Sequence, residues 1–102
     1  MTDPKNKNEV LEKQETRTAR PKLYRVILLN DDYTTMEFVV FVLESVFHKN
    51  AEEATQLMLQ IHHSGRGIAG VYTYEIAEMK ALTVIEMARQ NEYPLQAILE
   101  AE

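Results

Sequence analysis

Asn30, Asp31 and Asp32 stand side by side in the stretch NDDYTT, an amide and two carboxylates set directly before a very apolar segment. Their oxygens accept hydrogen bonds, and acceptors at the edge of an apolar hollow suit a ligand with a cationic head and a greasy tail. The other candidates for chemistry are His62 and His63, in QIHHSG. On a helix His62, four residues after Met58 and one after Ile61, borders the apolar face, whereas His63 turns away by roughly a quarter turn or more. Each set also has an ordinary structural use. Asn and Asp are common turn formers, and a histidine at the border of an apolar face is more often packed or solvated than a ligand. A metal site would have to draw on Asp31, Asp32, His62 and His63, whose spacing matches no known ligand motif. An acid/base pair of Asp31 and His62 stays open, although no activated nucleophile, phosphate-cradling glycine loop or cofactor fingerprint accompanies it, and no cofactor is expected.

The elements that must position these residues follow from periodicity and caps. KLYRVILLN, residues 22–30, is rich in β-branched and aromatic residues and stops at a turn-forming cluster, so it reads as a strand entering a turn. Thr34 with Glu37 has the form of a capping box and starts a helix whose body runs from Phe38 to Phe47, with Val39, Val42, Leu43 and Val46 on its buried face. Asn50 with Glu53 opens a second helix, in which Ala54, Leu57, Met58 and Ile61 recur at helical spacing and Gly65 supplies a stop. The stretch from Gly67 to Thr73 reads as a short strand whose glycines mark a bulge or a close backbone approach. A third helix from about Tyr74 carries Ala77, Ala81, Val84 and Ala88 on one stripe and ends near Asn91. Pro94 forces an extended restart, and PLQAIL forms a last edge strand. Met36, Met58, Met79 and Met87 read most simply as core filler, although methionine also suits adaptable pockets. The order β-α-α-β-α-β predicts an α+β domain, a small antiparallel sheet with three helices packed on it.

Composition bounds what this domain does. A chain of 102 residues has room for one domain, and 45% hydrophobic residues suffice for a core. The formal charge of -5 disfavours a nucleic-acid partner, which needs clustered Lys and Arg. The absence of cysteine removes disulfides, thiolate nucleophiles and Cys-ligated zinc, and fits a reducing, cytoplasmic setting. The longest apolar run, Phe38 to Leu43, is too short to span a bilayer, so a soluble protein away from the membrane is expected. Residues 1–21 mix Asp3, Glu9, Glu12 and Glu15 with Lys5, Lys7, Lys13, Arg17 and Arg20, and only Val10 and Leu11 are larger aliphatics after Met1. Too little apolar area is available there to offset ordering entropy, so a flexible N-terminal arm is expected, either an inert tail or an interaction element, with the domain occupying residues 22–102.

NDDYT followed by MEFV, then ATQLML with His62 and Gly65, then GVYTYEIAE and NEYPL, together resemble the bacterial ClpS family, adaptors that bring N-degron substrates to Clp AAA+ proteases. The resemblance covers roughly residues 22–102 and implies a monomeric, non-enzymatic adaptor. It implies that Asn30, Asp31 and His62 accept hydrogen bonds from the α-ammonium of a substrate's first residue, a group with three donors and no acceptor. It further implies that Met36, Val39, Met58, Ile61 and Leu95 line the pocket for the first side chain (Leu, Phe, Tyr or Trp), with Asp32 and Thr34 at its edge and Met36 as gatekeeper. Glu75 and Lys80 match positions that touch the N-terminal domain of a ClpA- or ClpC-type unfoldase; taken as residues alone they read as a solvated face. Thr35 stands where many members have proline, which should slightly loosen the helix entry, and Ile61 stands where valine is common, which adds a methylene to the pocket wall.

Overall fold

A computed structural model describes residues 20–102 of the chain. β1, Leu23–Leu29, is central in a three-stranded antiparallel sheet, flanked by β2, Arg66–Thr73, and β3, Gln96–Ala101, in the order β2-β1-β3. Its central place explains its composition: Val26, Ile27 and Leu28 are all buried, Val26 and Leu28 in the main core and Ile27 on the opposite face, in register with Ile68 and Ile98. Pairing of β1 with β2 slips between Val26 and Ile27, because Val26 faces Gly70 while Ile27 faces Ile68. Ala69 is the extra residue of a bulge, in the glycine-containing strand where one was expected.

The helices are α1, Met36–Ser45, α2, Ala51–Ser64, and α3, Tyr74–Gln90. α3 buries its stripe of Ala77, Ala81, Val84 and Ala88 against the sheet, and α1 and α2 pack together with Val39, Val42, Leu43, Ala54, Met58 and Ile61 in the shared core. The order β-α-α-β-α-β is thus the one expected. Asn50 and Glu53 form the predicted reciprocal capping box, and Gly65 closes α2 at φ 91°, a left-handed conformation that glycine adopts without a Cβ penalty.

Four expectations are corrected. Thr34 does not cap α1: the N-cap is Thr35, whose Oγ1 accepts the Phe38 N–H at 3.2 Å, because the Thr34 hydroxyl is donated to Asp31 instead. Thr35 therefore closes the helix entry rather than loosening it, at φ −71°, a value proline would impose. α1 ends at Ser45 rather than Phe47, since His48 turns left-handed at φ 57° and Lys49 N–H reaches back to Leu43 O at 3.1 Å; Val46 and Phe47 stay buried in the turn. Of the methionines expected as core filler, Met58 is buried, but Met36 and Met79 are 41% and 60% exposed. The arm expected over residues 1–21 lies almost wholly outside the described residues.

Candidate functional site

The site is built where the end of β1, the entry of α1 and the last turns of α2 meet. The backbone N–H of Asn30 donates to Gly65 O at 2.9 Å, which ties the loop after β1 to the C-terminus of α2. That one bond brings the acceptor loop beside His62, although Asn30, Asp31 and Asp32 lie 30 to 32 positions before it in sequence. The loop is then folded by Asp31. Its Oδ1 accepts the N–H of Tyr33 at 2.7 Å and of Thr34 at 2.6 Å, and its Oδ2 accepts the Thr34 hydroxyl at 2.7 Å. Partial burial works to raise the pKa of Asp31, but the Thr34 hydroxyl, the Thr34 N–H and the Tyr33 N–H outweigh it and hold the carboxyl below its ordinary value. Asp31 is therefore an oriented anion with lone pairs left for a further donor.

These elements enclose a cavity of about 480 Å³. Its mouth carries Asn30, Asp31, Asp32 and His62, with Asn30, Asp32 and His62 exposed, and its inner wall is formed by Val39, Met58 and Ile61, which are 7%, 8% and 1% exposed. Met36, half out of the core at the first position of α1, lines the cavity together with Thr34. Nine of the residues singled out in the sequence thus share one concave surface: Asn30, Asp31, Asp32, Thr34, Met36, Val39, Met58, Ile61 and His62. The charge pattern is one-sided, carboxylates and an imidazole over an apolar interior, which fits a cation attached to an apolar group.

Leu95 is not brought to this surface. It is 2% exposed and packs within the core after Pro94. Tyr33, Thr35 and Glu37 do line the cavity and were not nominated; their only signal is that they interleave with the acceptors in NDDYTTME, a loop too short to carry them elsewhere. His63 is exposed and absent from the lining, as its angular offset from His62 requires. No cluster of His and acidic residues able to hold a metal ion occurs among the described residues.

Glu75 and Lys80 lie on α3, remote in sequence from the acceptor loop and absent from the cavity lining. Glu75 is exposed in the first turn. The expected solvated face does not hold for Lys80: its ammonium donates to Val46 O at 2.7 Å and sits 5.2 Å from the Tyr72 ring centroid and 5.9 Å from that of Phe47. It fastens the end of α1 to α3.

With this geometry in hand, comparison with known proteins is decisive. Residues 19–98 match the family model described as ATP-dependent Clp protease adaptor protein ClpS. The chain belongs to the ClpS family. Among its relatives, the ATP-dependent Clp protease adapter protein ClpS of Hyphomonas neptunium is 57% identical over 86 residues, covering 84% of this chain and 73% of that protein. The ClpS of Bartonella henselae is 55% identical over 91 residues, covering 89% and 83%. The solved structure of Agrobacterium tumefaciens ClpS2 bound to L-phenylalaninamide superposes with a TM-score of 0.79 at 40% identity, covering 81% of this chain and all of that one. The family is named for an adaptor role rather than for catalysis, and among the described residues of this chain no helix is long and apolar enough to cross a membrane.

Proposed function

We propose that this chain recognises the free α-amino group and bulky apolar first residue of N-degron substrates, Leu, Phe, Tyr or Trp, and delivers them to a ClpA- or ClpC-type AAA+ unfoldase. The observation that carries the reading is the single cavity in which the Asn30, Asp31 and His62 acceptors border a wall of Val39, Met58 and Ile61. L-Phenylalaninamide, the ligand of the Agrobacterium relative, stands in for an N-terminal Phe followed by its first peptide bond. Its ammonium offers three donors to an amide oxygen, a carboxylate and a neutral imidazole nitrogen, and its ring suits the apolar wall. Burying such a side chain contributes about 1.5–3 kcal/mol, and the charged hydrogen bonds confine that gain to a chain terminus. Met36 at the rim supports exclusion of Ile and Val, whose branch lies beside the anchored ammonium. Glu75, exposed on α3 away from the cavity, supports a separate unfoldase contact, with Lys80 fixing that helix from below. The acid/base alternative gains nothing from Asp31, because a carboxyl held below its ordinary pKa is a weaker general base.

The test is direct binding of peptides that begin with Leu or Phe, with the α-amino group free or acetylated. Acetylation removes the charge and most of the donors, so binding of the blocked peptide should become undetectable. Blocked and free peptides binding within a few-fold of each other would overturn the reading.

A further inference from the structure

Gly67 sits in β2 opposite Leu28, buried, on the side of the sheet that faces α2. It is not there for its torsion, since among the described glycines only Gly65 has a left-handed φ. Space is the reason. A Cβ at position 67 would stand 2.6 Å from Ile61 Cγ1, 3.4 Å from Ile61 Cδ1 and 3.2 Å from Leu57 Cδ1. The Leu57 methyl ends a flexible side chain and can turn aside. Cγ1 of Ile61 cannot, because it is bonded to a branched Cβ whose χ1 is stiff in a helix. Ile61 is 1% exposed and packed within the core, and the open volume beside it is the cavity it lines.

We infer that Gly67 is a positioning residue for the first-side-chain pocket: its missing Cβ is the space into which Ile61 leans, and that recess sets how deep a substrate side chain can reach. The inference rests on the N-degron reading of the cavity. A methyl at position 67 has one direction in which to displace Ile61, toward the ligand, because the remaining neighbours are close-packed core. The loss falls on the side chains that reach farthest. Trp fills the recess and Leu stops short of it, so depth becomes a selector among apolar first residues that hydrophobicity alone does not separate.

The experiment compares the parent, Gly67→Ala, Ile61→Val and the double variant, each titrated with free-amino peptides differing only in a first Leu or Trp. Gly67→Ala should lower the Trp-to-Leu affinity ratio about tenfold, the effect of one methyl-sized overlap in a packed pocket. Ile61→Val, which removes a methylene from the wall, should raise the ratio. The double variant should return it close to the parent's value, since valine keeps a γ carbon facing position 67 but lacks the Cδ1 that a displaced Ile61 would carry into the pocket. A role confined to folding would weaken both peptides alike, and an unchanged ratio in Gly67→Ala, or no rescue in the double variant, overturns the proposal. If Gly67→Ala fails to fold by circular dichroism, Ile61→Val decides alone, and a ratio that does not rise is fatal. A parent that binds neither peptide overturns the N-degron reading and this inference together; a parent that binds while the variants keep its ratio overturns this inference only.

Discussion

The cavity at the mouth of α2 and the outward face of α3 contain similar ingredients in different settings. Both mix carboxylates with exposed methionine, and the groove on α3, lined by Glu75, Glu78, Met79, Leu82, Glu86 and Met87 among others, has a volume of about 540 Å³ beside the cavity's 480 Å³. Volume does not separate them; construction does. The cavity lies where three elements end, so its polar atoms come from a loop and a helix terminus while its wall is the core itself. The groove is one side of a single helix. Its Met79 and Leu82 are 60% and 59% exposed, and two of its carboxylates are occupied locally, Glu78 by the Tyr74 hydroxyl at 2.9 Å and Glu86 by Arg89 at 2.7 Å. A recess with polar groups at the rim and buried apolar atoms behind them requires convergence of several elements, which one amphipathic helix does not provide.

The sharpest way to break this contrast is Asp31→Ala. Loss of its charge-assisted hydrogen bond to the ligand should cost about 1.5–3 kcal/mol of binding, more than about tenfold in affinity for a Leu-initiated peptide by calorimetry. Met36→Ala comes next. Opening the rim should raise affinity for Ile- and Val-initiated peptides about tenfold while Leu and Phe peptides change less, and a variant that still rejects Ile and Val would return Met36 to a filler role.

Acidification acts on the site through Asp31 only at low pH. Asp31 has a folded pKa below its ordinary value, so the stability it contributes is present above that ordinary value and is lost only as pH falls through the lower folded one. It does not change state between neutral and mildly acidic pH. His62→Asn, which carries its acceptor on a shorter side chain, should weaken peptide binding several-fold at neutral pH in the same titration. At the end of the series, Leu82→Ala on the α3 face should leave peptide affinity within error and the melting temperature nearly unchanged, because that side chain is already largely in water.

Much of the fold was legible because local and tertiary signals agreed. Asn50 and Glu53 form the reciprocal cap, and Ala77, Ala81, Val84 and Ala88 are the four buried residues of α3. The candidate site was legible for the same reason, since its acceptors lie in a loop and its wall in two periodic stripes. The misreadings share a cause. Thr34 and Thr35 are chemically identical neighbours, and only the capture of Thr34 by Asp31 leaves the cap to Thr35. Lys80 is fastened to a carbonyl 34 residues away, a contact that no local pattern encodes. Leu95 and the four methionines differ in burial through where their elements end in space, which spacing along the chain does not report.

The bulge at Ala69 inverts the parity of β2. Along an unbroken strand, the side chains sharing a face with Tyr72 and Gly70 would be those of residues 68 and 66, and residue 67 would point to the far side. The inserted residue exchanges the two sets, sending Ile68 outward and turning Gly67 toward Ile61. One residue of chain length, placed in a strand that contributes no polar group to the cavity, thus decides what stands behind the pocket. Were the strand to pair at its full length without the bulge, Ile27 would face Ala69 and Leu28 would face Ile68, bringing an isoleucine and an arginine to the inner face, so the ligand site would fail from the sheet side with every acceptor in the loop still present.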